Sequence, residues 1–275
     1  MFVRIAIWLS ERSPFARRVL WRWWYQRLAR RFATPDWTFM NYGWSSRDAG
    51  PLALAPADEP DRFCIQLYAR VVSPANLAGR RVLEVGSGRG GGASFLARYR
   101  EPAHIAGMDF SAAAVALSRQ RHAQVPNLGF VIGDAESLPF PDASFDAVVN
   151  VESSHCYGHI DRFFREAARV LKPGGYFLFA DVREAPLMPG LKALIEGQPD
   201  WQCVDEEDIT TGVVEALAAD DARKRELISS TVPARMQEVF GEFAALAGTT
   251  MFTRFRSREL LYHRFACRKS QPPAK

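Results

Sequence analysis

The chain has 275 residues, 48% hydrophobic and 24% charged, and a formal charge of +4. That balance excludes whole-chain disorder and low complexity, and the length allows one or two domains at about 150 residues each. The charge is uneven: residues 1–33 hold eight arginines against Glu11, a local +7, so the other 242 residues sum to −3. A near-neutral body argues against nucleic acid as a partner.

No apolar run reaches the roughly 18 residues of a membrane span, and Ile5–Leu9 behind Arg4 is too short for a secretory leader. Cys64, Cys156, Cys203 and Cys267 form no CxxC pair. They read as free thiols of a reducing, cytoplasmic compartment. No metal-ligand spacing is present, so metal-free chemistry is expected.

Ser13 and Pro14 are the cap and first residue of a helix predicted over 14–32. Phe15, Val19, Trp23 and Leu28 fall near one face, flanked by Arg17, Arg18, Arg22 and Arg27. Two readings stay open: the helix packs as part of a lid, or it lies on an anionic membrane surface with its tryptophans at the interface. The second would make the protein peripheral to a membrane. Residues 33–60 read as loop, followed by a short helix over 61–72.

From residue 80 the texture changes. RRVLEVG, HIAGMDF, LGFVIGD, FDAVVNV and YFLFADV are short apolar runs that read as buried strands. Helices are predicted between them over 93–99, 111–122 (capped by Ser111) and 160–171, the last closed by Lys172-Pro173-Gly174-Gly175. This alternation defines an α/β, doubly wound, Rossmann-like sheet. Residues 183–247 read as a helical insert, with helices over 190–196, 208–218, 220–229 and 232–247 and a loop around Trp201. Two strands over 249–255 and 259–268 close the sheet at seven strands, mostly parallel. The expected organisation is a helical lid over 1–60, a core over 61–182, the insert, the closing strands over 248–268 and a tail over 269–275. The protein is expected as a monomer or homodimer.

The loop Glu84-Val85-Gly86-Ser87-Gly88-Arg89-Gly90-Gly91 follows the first strand. Five glycines in seven residues, 86–92, let the backbone turn tightly and approach a ligand without a Cβ in the way. The helix N-terminus beyond it favours a carboxylate or phosphate. Three acids narrow the ligand. Glu84 at the end of the first strand attracts an amino group and repels a pyrophosphate. Asp109 at the end of the second can hold both hydroxyls of a ribose. Asp134, after the third, can bind an adenine edge together with a backbone amide. An ammonium, a carboxylate, a ribose and an adenine without phosphate describe S-adenosylmethionine.

VLEVGSGRGGG, GMDFS, GDAESLPFPDASFDAVVNVESSH and ARVLKPGGYFLFAD resemble, in order and spacing, the motifs of class I S-adenosylmethionine-dependent methyltransferases. The resemblance covers about residues 80–182. MNYGW and NVESSHCY further resemble the subgroup of phthiotriol-type and natural-product O-methyltransferases. The resemblance implies that Glu84, Gly86, Ser87, Gly88, Asp109 and Phe110 line the methionine and ribose parts of the cofactor. By the same resemblance Asp134 and Ala135 hold the adenine, and Asn150 and Val151 face the methionine. The loop carrying Tyr42 and Trp44 would close over the cofactor, with Tyr42 in its binding set.

The general crevice rule for open α/β sheets places the reaction beyond the carboxyl ends of the fourth and fifth strands. His155 lies there, and Asp181 ends the fifth strand. A histidine near neutral pH suits removal of a hydroxyl proton, and an acid can fix its tautomer. His155 and Asp181 are therefore the candidate catalytic pair, acting on a small, lipophilic natural-product or lipid-like acceptor. Met188, Leu191, Leu194, Ile195 and Trp201 are candidates for an apolar acceptor pocket. C-methylation of an isoprenoid, sterol-like or aromatic carbon is the runner-up. An NAD(P)-dependent oxidoreductase shares the glycine loop, but Glu84, Asp134 and the Pro-Gly-Gly before the fifth strand argue against it.

Overall fold

The computed structural model describes Ser13, residues 37–46 and residues 52–271. The helix expected over 14–32 lies outside them, and with it the choice between lid and membrane surface. Among the described residues no helix is long and apolar enough to cross a membrane.

A 3-10 turn, Pro56–Asp61, leads into α1 (Arg62–Val72). The alternation follows as β1 (Arg81–Val85), α2 (Gly91–Tyr99), β2 (His104–Asp109), α3 (Ala112–Arg121), β3 (Leu128–Ile132), β4 (Phe145–Val151), α4 (Ile160–Val170) and β5 (Leu171–Glu184). The chain ends with α5 (Met188–Glu196), β6 (Trp201–Asp208), α6 (Thr210–Ala219), α7 (Asp221–Thr231), α8 (Ala234–Phe243), α9 (Thr250–Arg256) and β7 (Leu260–Lys269). The seven strands form one sheet in the order β3-β2-β1-β4-β5-β7-β6. The first five run parallel, and β7 is antiparallel to both β5 and β6. The order reverses between β1 and β4, so the loops at their carboxyl ends diverge and leave a crevice, the place where such sheets bind ligands.

Each face of the sheet carries its own core. One face packs against α1, α2, α3, α6 and α9 through Leu67, Phe95, Val213 and Phe255. The other packs against α4 and α5 through Phe163, Phe164, Phe177 and Ile195. Burying each such aliphatic or aromatic side chain contributes about 1.5–3 kcal/mol. A third cluster joins Trp37 to Ile228 and Phe240, so the segment 37–42 is roofed by α7 and α8.

The structure corrects the sequence reading in four places. Residues 249–255, expected as a strand, form α9. Thr249 caps it by accepting the Phe252 N–H, and Phe252 and Phe255, three apart, are its buried residues, a helical spacing. The loop expected around Trp201 is β6, the outer strand beside β7. Met188, Leu191, Ile195 and Trp201 do not line an acceptor pocket. They are 6% exposed or less, within the second core, where Trp201 stacks on Phe177 at 4.6 Å; Leu194 packs against the same cluster from a partly buried position. Lys269, assigned to the tail, ends β7 and donates to the carbonyls of Ala168 and Leu171.

The α9 cap has a measurable consequence. Thr249→Ala removes the acceptor for the Phe252 N–H and should cost about 0.5–2 kcal/mol. The check is a lower urea midpoint with an unchanged slope, and an unmoved midpoint would show that the helix needs no cap.

Candidate active site

The glycine loop is held against the end of β2. The N–H groups of Gly86 and Ser87 donate to the Met108 carbonyl at 2.8 and 2.9 Å. Gly88 N–H donates to Asp109 Oδ2, and Ser111 N–H to Asp109 Oδ1, each at 2.8 Å. Gly86, Gly88 and Gly90 all have positive φ, which L side chains adopt at a cost. A Cβ on Gly86 would come within 2.3 Å of Ser153 Oγ, so glycine is required where the loops after β1 and β4 meet. At Gly88 a Cβ would meet nothing, which leaves the loop open on that side.

Glu84 is fully buried. Its Oε1 accepts from the Tyr68 hydroxyl at 2.6 Å, whereas Oε2 has no partner among the described residues. Burial pushes its carboxyl up to about 7, against the Tyr68 bond. A buried carboxylate with one oxygen unpaired fits an ammonium group, the amino group of a bound amino-acid moiety. Asp109, also raised by burial, to about 6, is steadied by the Gly88, Ser111 and Phe110 amides. Gly133 N–H donates to the Asp109 carbonyl at 3.1 Å, which brings the Asp134 turn beside it. There Asp134 Oδ1 accepts from Glu136 N–H at 3.0 Å. These residues could hold S-adenosylmethionine, with Glu84 toward its amino group, Asp109 toward its ribose and the 134–135 turn toward its adenine.

Other expected cofactor contacts are placed differently. The Asn150 side chain is buried, with Nδ2 within 2.7–2.9 Å of Ser153 Oγ, Val85 O and Tyr157 Oη, so it ties the loops after β1 and β4 together. The side chains of Val151 and Ala135 belong to the two cores. Trp44 is core as well: Gly212 lies flat against its ring, and Ser45 N–H donates to the Gly212 carbonyl. Phe39, not singled out in the sequence, is the aromatic that meets the start of α2, where a Cβ on Gly91 would touch its ring at 3.0 Å.

His155 and Asp181 are brought together. Imidazole Nδ1 lies 2.9 Å from Asp181 Oδ1. Asp181 is fully buried and also accepts from the His155 and Val182 amides and the Ser154 hydroxyl. Burial opposes its charge, but Arg183 at 3.2 Å and His155 hold the carboxyl well below the usual range. An ionised carboxylate only accepts, so Nδ1 carries the hydrogen and Nε2 of the neutral ring is the basic nitrogen. Burial lowers the imidazole's affinity for a proton; Cys156 and Asp181 outweigh it and hold the ring well above the ordinary histidine value.

Sequence reasoning missed one further acid of the site. Glu152, the first residue past β4, has φ +52. Its Oε2 accepts from the Tyr42 backbone N–H at 3.0 Å and from the Tyr262 hydroxyl at 3.1 Å. Burial pushes its carboxyl up to about 8. Tyr42 itself packs edge-on against Phe255 at 4.9 Å.

A glycine loop with a buried acid behind it, a second acid at the end of the next strand and a crevice at the carboxyl ends of β1 and β4 are the arrangement of an S-adenosylmethionine-dependent methyltransferase. Residues 83–179 match the methyltransferase domain family. The chain is 36% identical to the phthiotriol/phenolphthiotriol dimycocerosates methyltransferase of Mycobacterium leprae over 98% of this chain and 99% of that one. It belongs to that methyltransferase family. A fatty-acid O-methyltransferase of Mycolicibacterium smegmatis is 40% identical over 78% of this chain and 77% of its own. Among solved structures, the (4+2)-cyclase SpnF superposes with a TM-score of 0.68 at 23% identity, covering 93% of this chain and 97% of its own. That likeness concerns the fold alone.

Proposed function

We propose that the protein O-methylates a hydroxyl of a lipid-like acceptor, with His155 as general base and Asp181 as its orienting carboxylate. The observation that carries this reading is the His155–Asp181 pair, with His155 in the turn past β4 and Asp181 just beyond the last β4–β5 pair, three residues before β5 itself ends at Glu184 and on the side where the glycine loop meets Ser153. A carboxylate acceptor has no proton to give up and no use for a base. A hydroxyl does, because its pKa is far above neutrality and its proton must leave as the new bond forms. The names of the two relatives, one acting on a phthiotriol and one on a fatty acid, support a lipid-like acceptor.

S-adenosylmethionine, when bound, supplies a methyl group already activated on a sulfonium. The protein's own residues orient the acceptor, shield it from water and receive the proton at His155 Nε2. Asp181 then faces an imidazolium, whose charge it offsets. The test is transfer of labelled methyl from S-adenosylmethionine to a long-chain secondary alcohol in detergent micelles, with the ether identified by mass. Cofactor binding without any ether above the enzyme-free control would overturn the acceptor class.

A further inference from the structure

Glu152 is held in a way that packing does not require. A glutamate at φ +52 sits in the left-handed region, where a non-glycine residue is strained and persists only if its surroundings enforce it. The surroundings do so through residues distant in sequence. Both bonds to its carboxylate, from Tyr42 and from Tyr262, span 110 residues, and both end on Oε2. Oε1 has no partner among the described residues and is not enclosed. One oxygen of a fixed carboxylate is thus committed to the fold, and the other is left unpaired on a half-buried side chain three residues from His155.

We propose that Glu152 is a specificity-determining residue whose Oε1 accepts a hydrogen bond from a second hydroxyl of the acceptor, next to the one that is methylated. This rests on the hydroxyl-acceptor reading above. The reacting hydroxyl gives its hydrogen to His155, so the donor for Oε1 must be another group. The same oxygen repels a carboxylate, and a site built around a hydrogen bond also discriminates against ligands that lack the donor. Acceptors carrying paired hydroxyls are then favoured over simple alcohols, and simple alcohols over fatty acids.

The test compares a long-chain 1,3-diol, the matched mono-alcohol and the matched fatty acid at about pH 9, where Glu152 is ionised. Wild type should prefer the diol to the mono-alcohol by about 10–100-fold in kcat/KM, the range for a hydrogen bond to a charged group. Glu152→Gln keeps an oxygen for Tyr42 and Tyr262. It should lose most of that preference, chiefly through KM of the diol, and should accept the fatty acid better, with cofactor affinity unchanged. Tyr262→Phe removes a bond to Oε2 only and should keep the preference. A wild type indifferent to the second hydroxyl, a Glu152→Gln variant that keeps the preference, or a Tyr262→Phe variant that loses it each overturn the assignment. If wild type methylates none of the three, the hydroxyl-acceptor reading itself fails and this assignment falls with it.

Discussion

His155→Ala should lower turnover by about 10²–10⁴-fold, the usual contribution of a positioned general base, while cofactor affinity stays nearly unchanged. His155→Gln should fare little better, since it cannot take a proton. The pH profile gives an independent check. Only the neutral ring is a base, and Asp181 and Cys156 keep the ring protonated above the ordinary histidine range despite burial. Turnover should therefore rise with pH through that raised value and level off above it. Burial raises the Glu152 carboxyl to about 8, so it adds to the same limb, and the decisive measurement is Asp181→Asn. Loss of that counter-charge should move the limb to lower pH and reduce the plateau. The double variant with His155→Ala should be little worse than His155→Ala alone. Full turnover in His155→Ala, with methyl transfer shown to be rate-limiting, would end the proposal.

Asp109→Ala should weaken binding of S-adenosylmethionine and its demethylated product by about 30–1,000-fold. Two ribose hydrogen bonds to a charged acceptor are lost, at about 2–4 kcal/mol together. The carboxylate also anchors Gly88 and Ser111, so the glycine loop loses part of its support as well. Calorimetry measures the effect directly, and unchanged affinity would remove Asp109 from the ribose site.

The parallel half of the sheet was legible because its central strands β1, β2 and β4 are largely buried on both faces and read as mostly apolar runs, and the edge strand β3 keeps the same composition although it is only half-buried. β4 begins and ends at the expected residues 145 and 151. The Ser111 cap was legible because its bond is local, to Ala114 N–H. What misled lay at the other end of the chain. The three Thr and two Phe in 249–255 carry strand propensity, which the Thr249 cap and the Phe252/Phe255 spacing override. β6 was hidden by Asp205-Glu206-Glu207-Asp208, four acids that look like solvated loop. Their partners are distant in sequence: Arg264 meets Asp205 and Glu207, Lys192 meets Glu206, and Arg258 meets Asp208. The His155–Asp181 pair could be read because β4 and β5 are neighbours, which sets the turn just past β4 beside Asp181 of β5. Glu152 could not, because its partners at 42 and 262 become neighbours only in the folded chain.

The acids of β6 also bear on how the molecule behaves in company. β6 is the outermost strand on its side of the sheet, and an exposed strand edge is a template for pairing with another chain. A second copy adding its own β6 there would bring two rows of ion-paired acids together. The basic residues that offset this charge within one molecule are already engaged in it. A strand added along this edge would have to disturb those ion pairs and strip water from them, so the charged rim discourages the sheet of one copy from growing into that of another.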